Sequence, residues 1–467
     1  MRGGLPETYG TGAARLFYSR YAPSAGNAAR NFCYDEPYFL NRNLPMSGTE
    51  ITSSHSPLRI ASFTFSYLPM MTGISSLVHE RIACLLKRGH TVRLFHPQVP
   101  TGDESHAWGS TGLDELAKLG DFSAVSFPTV RNPLRRSFPE AASHRVWDDR
   151  RLLEDFGPDV ITVDEAAGLF GAASGWLKGY GKPVGIRYAQ KHQIPCVNLL
   201  QTDWQGYCEH YVGATAFRLA VPAVRRIMRP VVTGYDSNLT PSRFLSERNR
   251  AIYGERVEYL GFHGVDCERF CPENICFDPI PADQSPIILS AGRIAREKSI
   301  LQLLRAFKQV LLEIPDAKLI VLGRGPLLKS FRRKAAAFGD SVVVPGAVFG
   351  DQLKGWYARA NVYWTASTTE NFSAGIMESL ASGTPVIAAA AGGNVEQIVD
   401  GVSGYLVAPK DPSELAQKTT SLLLDAPRLS RMSQAARIRA LELSLENSTE
   451  HLLIYLRELI AEKMTVD

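Results

Sequence analysis

Twice along this chain a short apolar run gives way to a glycine-bearing loop, an amphipathic stretch and another apolar run, and that alternation leaves few folds open. In the first series Leu58-Arg-Ile-Ala-Ser-Phe-Thr-Phe65 reads as a buried strand, followed by the loop Ser66-Tyr-Leu-Pro-Met-Met-Thr-Gly73. Leu77, Val78, Ile82, Leu85 and Leu86 recur at helical spacing, so a helix is predicted from Ser75 to Arg88. Gly89-His90 ends it, and Thr91-Val-Arg-Leu-Phe-His96 forms the second strand. Further strands are predicted at Val160–Val163, Cys196–Leu200 and Ser237–Thr240. The second series opens at Pro286-Ile-Ile-Leu-Ser-Ala-Gly292. It continues through a helix at Ile300–Glu313 and strands at Lys318–Gly323, Ser341–Val344, Val362–Trp364 and Pro385–Ala388. Strand, loop, helix and strand make the opening unit of a doubly wound parallel sheet. Two such series imply an α/β chain with two Rossmann-like lobes, joined near Gly261–Pro286.

A length of 467 residues agrees with two domains plus extensions. No run of about 18 uninterrupted apolar residues occurs, so no membrane-spanning helix is expected. The net charge of +4 is too mild to suggest a nucleic-acid partner. Cys33, Cys84, Cys196, Cys208, Cys267, Cys271 and Cys276 form a scattered set. The last three lie close together but lack a second group of ligands, so neither zinc nor any other metal is expected. Reduced thiols in a cytosolic setting are the default. Residues 1–56 are rich in Gly, Ala, Ser, Asn and Tyr and look like a disordered extension. Arg2, Arg15, Arg20 and Arg30 against the lone acid Glu7 make its start weakly transit-peptide-like, which leaves organellar import open. A true start at Met46 explains the segment equally well. Two basic clusters interleave with apolar residues: Arg131, Arg135 and Arg136 with Phe127 and Phe138, and Arg218, Arg225, Arg226 and Arg229. The plain reading is a solvated helix face; the functional one is peripheral docking to an anionic membrane surface.

The chemistry concentrates in Glu370-Asn-Phe-Ser-Ala-Gly-Ile-Met-Glu378, where two carboxylates stand eight positions apart. A helix is predicted to open around Ser373, and its N-terminus offers unpaired N–H groups and a positive dipole end to a phosphate. Carboxylates beside a phosphate site are poor phosphate ligands but good acceptors for sugar and ribose hydroxyls. Two surface glutamates on one helix are the bland alternative. Gly292-Arg-Ile-Ala-Arg-Glu-Lys298 places Arg293 and Lys298 between a strand end and a helix. There a guanidinium and an ammonium can stabilise charge on a departing diphosphate without a metal. A basic loop that merely caps a helix is the ordinary reading of such a pair.

Together these motifs resemble the retaining glycosyltransferases of family 4. Gly323-Arg-Gly325-Pro, Pro345-Gly-Ala-Val348-Phe, Ala391-Gly-Gly-Asn-Val-Glu396, Thr240-Pro-Ser-Arg-Phe and Gly264-Val-Asp266 are similar to further family signatures, so the match runs from about Arg59 to Pro409. The resemblance implies the GT-B fold: two Rossmann-like doubly wound lobes facing across a cleft, with a C-terminal helix crossing back. On that pattern residues 57–262 form the acceptor lobe, 263–440 the nucleotide-sugar donor lobe and 441–467 the returning helix. It further implies that Glu378 binds the ribose hydroxyls and Glu370 those of the transferred sugar. Arg293 and Lys298 would hold the diphosphate with backbone amides of Phe372, Ser373, Ala374 and Gly375, and Glu297 would be a structural partner. Gly73, Gly323 and Gly325 would let backbone approach the donor, and Val348 would lie at the base. No cofactor is implied beyond the donor substrate. The start of the first lobe and the Thr202-Asp-Trp segment resemble GDP-mannose-dependent mannosyltransferases and sulfoquinovosyl transferases. That resemblance implies a mannosyl donor slightly ahead of a UDP-sugar and a lipid, glycan or natural-product acceptor.

Two departures stand out. Gln201 occupies a place where relatives carry a histidine near the reacting sugar, and Asp203 is the nearest ionisable substitute or else a helix cap. His210 reads as a surface histidine, and Ser373 stands where glycine is common. Three rivals follow: a nucleotide-sugar epimerase of the same fold, a sugar-nucleotide-binding pseudoenzyme, and a dehydrogenase-type protein. The last is disfavoured because no Gly-x-Gly-x-x-Gly follows the first strand.

Overall fold

The computed structural model describes residues 56–67, 73–98, 112–127, 129–130, 140–141, 150–164, 185–203, 205–206, 209, 213–254, 257–276 and 285–465. The first sheet contains β1 (Arg59–Thr64), β2 (Thr91–Pro97), β3 (Phe122–Phe127), β4 (Val160–Asp164), β5 (Cys196–Leu199), β6 (Ser237–Thr240) and β7 (Val257–Tyr259), ordered β3-β2-β1-β4-β5-β6-β7. The second contains β8 (Ile287–Ala291), β9 (Lys318–Leu322), β10 (Val342–Gly346), β11 (Val362–Thr365), β12 (Val386–Ala389) and β13 (Gly404–Val407), ordered β10-β9-β8-β11-β12-β13. All pairings within both sheets are parallel. Strands β4, β5, β11 and β12 are buried along their whole length, as βαβ crossovers that cover both faces require.

Strands β3, β7 and β13, which sequence pattern alone does not announce, are all edge strands. Edges need less apolar sequence or less length, and β3 (Phe-Ser-Ala-Val-Ser-Phe) carries two serines in six residues while β7 has three residues. Helix α1 (Gly73–Lys87) starts two residues ahead of the expected Ser75, at the glycine itself.

The second lobe has its own core, in which Ile288, Leu319, Val321, Val362, Trp364 and Phe307 interdigitate. The first lobe's core is completed from the far end of the chain. Helix α9 (Leu445–Met464) lays Leu452, Leu453, Tyr455 and Leu456 against Ile60, Val78, Ile82 and Leu94. The Tyr455 hydroxyl donates to Ser237 Oγ at 2.7 Å, Lys463 pairs with Asp236 at 2.8 Å and Arg88 pairs with Glu450. Ser444 caps the helix by accepting the Asn447 N–H at 3.1 Å.

Side chains and backbone also join the lobes at the cleft. Glu396, on the short helix α7 (Asn394–Gln397), accepts the N–H groups of Arg243 and Phe244 at 2.9 and 2.8 Å. These are the first two residues of α3 (Arg243–Tyr253), in the other lobe.

Among the described residues no helix is long and apolar enough to cross a membrane. Arg218, Arg225, Arg226 and Leu219 are exposed on α2 (Ala214–Val232), the helix that also carries Arg229. The other basic cluster changes character. Phe127 is buried in the first-lobe core at the end of β3, while Arg131, Arg135, Arg136 and Phe138 lie outside the described residues, as do residues 1–55.

Leu456 is buried and reaches the first lobe from the last helix, so Leu456→Ala is expected to cost about 2–5 kcal/mol. Denaturant titration followed by first-lobe probes would measure it; a change confined to the second lobe would refute the shared core.

Candidate active site

Each sheet reverses its strand order at one central pair, β1/β4 in the first and β8/β11 in the second. Crevices open beyond the C-terminal ends of strands at such points. Here both crevices contribute to a single cleft of about 940 Å³. Gly73, Gln201, Asp203, Arg293, Lys298, Gly323, Gly325, Val348, Glu370, Phe372, Ser373, Ala374, Gly375 and Glu378 all line it.

The cations follow β8. Lys298 is ion-paired with Glu370, and Arg293 Nη1 stands 3.3 Å from Glu297 Oε1. Each positive charge therefore has a carboxylate beside it. Gly323 and Gly325 follow β9 with φ of 140° and 159°, and they pack backbone to backbone on the cation loop. A Cβ at Gly323 would lie 1.8 Å from Gly292 O, and one at Gly325 2.4 Å from Ile294 O. Only glycine fits that approach.

Glu370 is held from behind. The Gly393 N–H donates to Glu370 O at 2.8 Å, and a Cβ at Gly393 would lie 1.6 Å from Asn371 O. The Ala-Gly-Gly-Asn turn thus clamps the carboxylate loop against the cleft. Ser373 precedes α6 (Ala374–Ala381) as its N-cap residue, and Gln397 fixes it by accepting its N–H at 2.8 Å and donating to its carbonyl at 2.9 Å. Glu378 lies one turn into the helix on the cleft side. Burial pushes its carboxyl upward, against a Tyr357 hydroxyl bond and the charge of Arg269. Tyr357 belongs to α5 (Gly350–Arg359), and the neighbouring Tyr363 hydroxyl donates to Ala291 O at 2.9 Å. Gly375 rests on these phenols: a Cβ there would lie 2.4 Å from the Tyr363 oxygen.

The opposite wall comes from the first lobe. Gly73 opens α1, and Gln201 and Asp203 follow β5. Asp203 is tied into the wall by its neighbours. Its buried carboxylate accepts the Gly206 N–H at 2.8 Å and faces Arg248 Nε at 3.3 Å, which is the capping geometry. Gln201 is buried; its amide bonds Asp164, and its carbonyl meets His263 Nε2 at 3.0 Å. Asp164 is in turn ion-paired with Arg81 of α1. Asn371 Nδ2 donates to Gln201 O at 2.7 Å across the cleft floor. His263, Asp164, Arg81 and Asn371 escape the sequence reading because their importance lies in contacts between distant segments. His210 lies outside the described residues.

A further interlobe contact sits near Glu378. Glu80 of α1 accepts from Arg269 at 2.6 Å. Burial outweighs Arg269 and, with Glu378 and Asp266 adding negative charge, holds the Glu80 carboxyl at about 7 against an ordinary 4.5. The folded protein therefore binds this proton more tightly than the unfolded chain. The stability it confers is complete below pH 4.5 and is lost as pH rises through about 7. Glu80→Gln should remove that loss, so its melting temperature should gain on wild type between those pH values; parallel curves would refute the burial argument.

Residues 273–439 match the family model described as glycosyl transferases group 1. A GDP-mannose-dependent alpha-mannosyltransferase of Corynebacterium glutamicum is 27% identical over 386 residues, covering 81% of this chain and 84% of that protein. Sulfoquinovosyl transferase SQD2 of Arabidopsis thaliana is 32% identical over 293 residues, covering 60% of this chain and 53% of that protein. Among solved structures, sucrose-phosphate synthase from Thermosynechococcus elongatus matches with a TM-score of 0.66 and 20% identity, over 87% of this chain and 100% of that one. The structural match speaks for the architecture, and the sequence matches speak for the family. By both, residues 273–439 carry a region similar to the glycosyl transferases of group 1, and the chain has the GT-B fold of two Rossmann-like lobes about a cleft.

Proposed function

We propose that this glycosyltransferase moves a hexosyl group, mannosyl ahead of glucosyl, from a nucleotide-diphosphate sugar to a hydroxyl of a lipid, glycan or small molecule, with retention at the anomeric carbon. The observation that carries the reading is the grouping, in one cleft, of two cations, two carboxylates and an open helix N-terminus. GDP-mannose is placed first because the Corynebacterium glutamicum relative is described as dependent on it.

In this reading the diphosphate lies over the N-terminus of α6, between Arg293 and Lys298. The two cations neutralise the charge that grows as the C1–O bond breaks, so no divalent metal is required. Entry of the diphosphate draws Lys298 away from Glu370, which frees that carboxylate for hydroxyls of the sugar. Glu378 receives the ribose hydroxyls. The acceptor oxygen attacks C1 from the face the phosphate is leaving, and the acceptor proton passes to the departing phosphate oxygen. No enzymatic base is then needed, which accommodates Gln201. Exposed Arg218, Arg225, Arg226 and Leu219 on α2 support peripheral contact with an anionic membrane carrying a lipid acceptor.

Thermal-shift titration with GDP, UDP and their hexosyl derivatives tests the reading, and the absence of a shift with every one of them would overturn it. Lys298→Ala should lower kcat by about 10²-fold or more while leaving the melting temperature within a few degrees of wild type. Transfer at the wild-type rate would remove Lys298 from the phosphate site. Glu378→Ala should raise the donor KM about tenfold through lost ribose bonds; an unchanged KM would remove that role.

A further inference from the structure

The hydrogen-bond chain behind Gln201 fixes the protonation of a buried imidazole. Asp164 is fully buried and ion-paired with Arg81, so its carboxylate accepts, and the Gln201 amide nitrogen must be the group facing it. The Gln201 carbonyl oxygen then faces His263 Nε2 at 3.0 Å, so that nitrogen carries the hydrogen. Nδ1 is left with a lone pair. It is buried and has no hydrogen-bond partner. Burial, aided by the charge of Arg81, holds the ring down at about 3, so it is neutral at physiological pH.

A buried acceptor without a partner is costly and uncommon, and it asks for an explanation. His263 is only 5% exposed, yet it lies on the wall of the cleft. The ring of Phe372 stands edge-on to it at 6.1 Å. Phe372 lies between Glu370 and α6, so the loop that would receive the donor also covers this imidazole. Gln201 cannot turn to serve Nδ1, because Asp164 and His263 Nε2 hold its two ends.

Given a nucleotide-sugar donor in the cleft, we propose that His263 Nδ1 accepts a hydrogen bond from a hydroxyl of the transferred hexose. The bond becomes available when donor entry displaces the Phe372 ring. His263 thereby distinguishes the sugar-bearing donor from the bare nucleoside diphosphate. This rests on the donor-site reading above.

Two substitutions separate the two nitrogens. His263→Gln keeps an N–H at the Nε2 position toward Gln201 but has no acceptor at the Nδ1 position. His263→Asn puts a carbonyl oxygen near the Nδ1 position and loses the reach to Gln201. For each protein, calorimetry would give the affinity for GDP-mannose relative to GDP and for UDP-glucose relative to UDP. Each ratio is taken on one preparation, so an inactive fraction cancels. The ratio for the preferred donor should fall about tenfold in His263→Gln and stay within about twofold in His263→Asn. The opposite order would mean that His263 serves only Gln201, and equal effects would mean that neither nitrogen meets the sugar; either result overturns the inference. A wild type that binds neither GDP nor UDP would instead overturn the donor site itself.

Discussion

One carboxylate meeting one helix end keeps the two lobes in register. Glu396 satisfies the first two N–H groups of α3, which no residue inside that helix can do, and Ser242 takes a third by bonding Leu245. A negative charge at a helix N-terminus also gains from the dipole, and burial strengthens that gain while raising the cost of losing it. The same segment begins with the glycine turn behind Glu370 and ends with Gln397, which holds Ser373. Lobe registration and the shape of the carboxylate loop are therefore one structural problem, solved by six consecutive residues from Gly392 to Gln397.

The charges in the cleft follow a second economy. Lys298 and Arg293 each stand beside a carboxylate, so neither cation is left uncompensated. An incoming anion exchanges one partner for another instead of entering a bare positive pocket. On the proposed function this arrangement would limit how tightly a diphosphate is held, since the displaced carboxylate would compete for the same ammonium.

Much of this was legible in the residues. Central strands announced themselves because burial on both faces leaves nearly continuous apolar runs, as in Ile287–Leu289 and Val362–Trp364. The start of α6 at Ser373 could be placed from the change of pattern after β11. Edge strands β3, β7 and β13 could not, since β3 is partly solvated and tolerates Ser, while β7 and β13 are only three and four residues long. Asp203 looked like a spare acid because nothing local reveals that Arg248, 45 positions on, would occupy it. Nothing local marks His263; only the fold brings Gln201 to its ring and Asp164 behind Gln201. Local chemistry is written locally, whereas pairing between β4, β5 and the hinge exists only once the chain has closed.

Helix α9 has a consequence for how the protein is made. The first lobe leaves the ribosome ahead of the second, yet Leu452, Leu453, Tyr455 and Leu456 belong to its core and follow only after the second lobe. Until they arrive, Ile60, Ile82 and Leu94 face a gap, and the nascent lobe keeps apolar surface open to solvent or to chaperones. The second lobe has its own core and can mature first. Order of synthesis and order of completion thus run in opposite directions, and a nonsense codon just ahead of Leu452 would strike the lobe encoded far upstream of it.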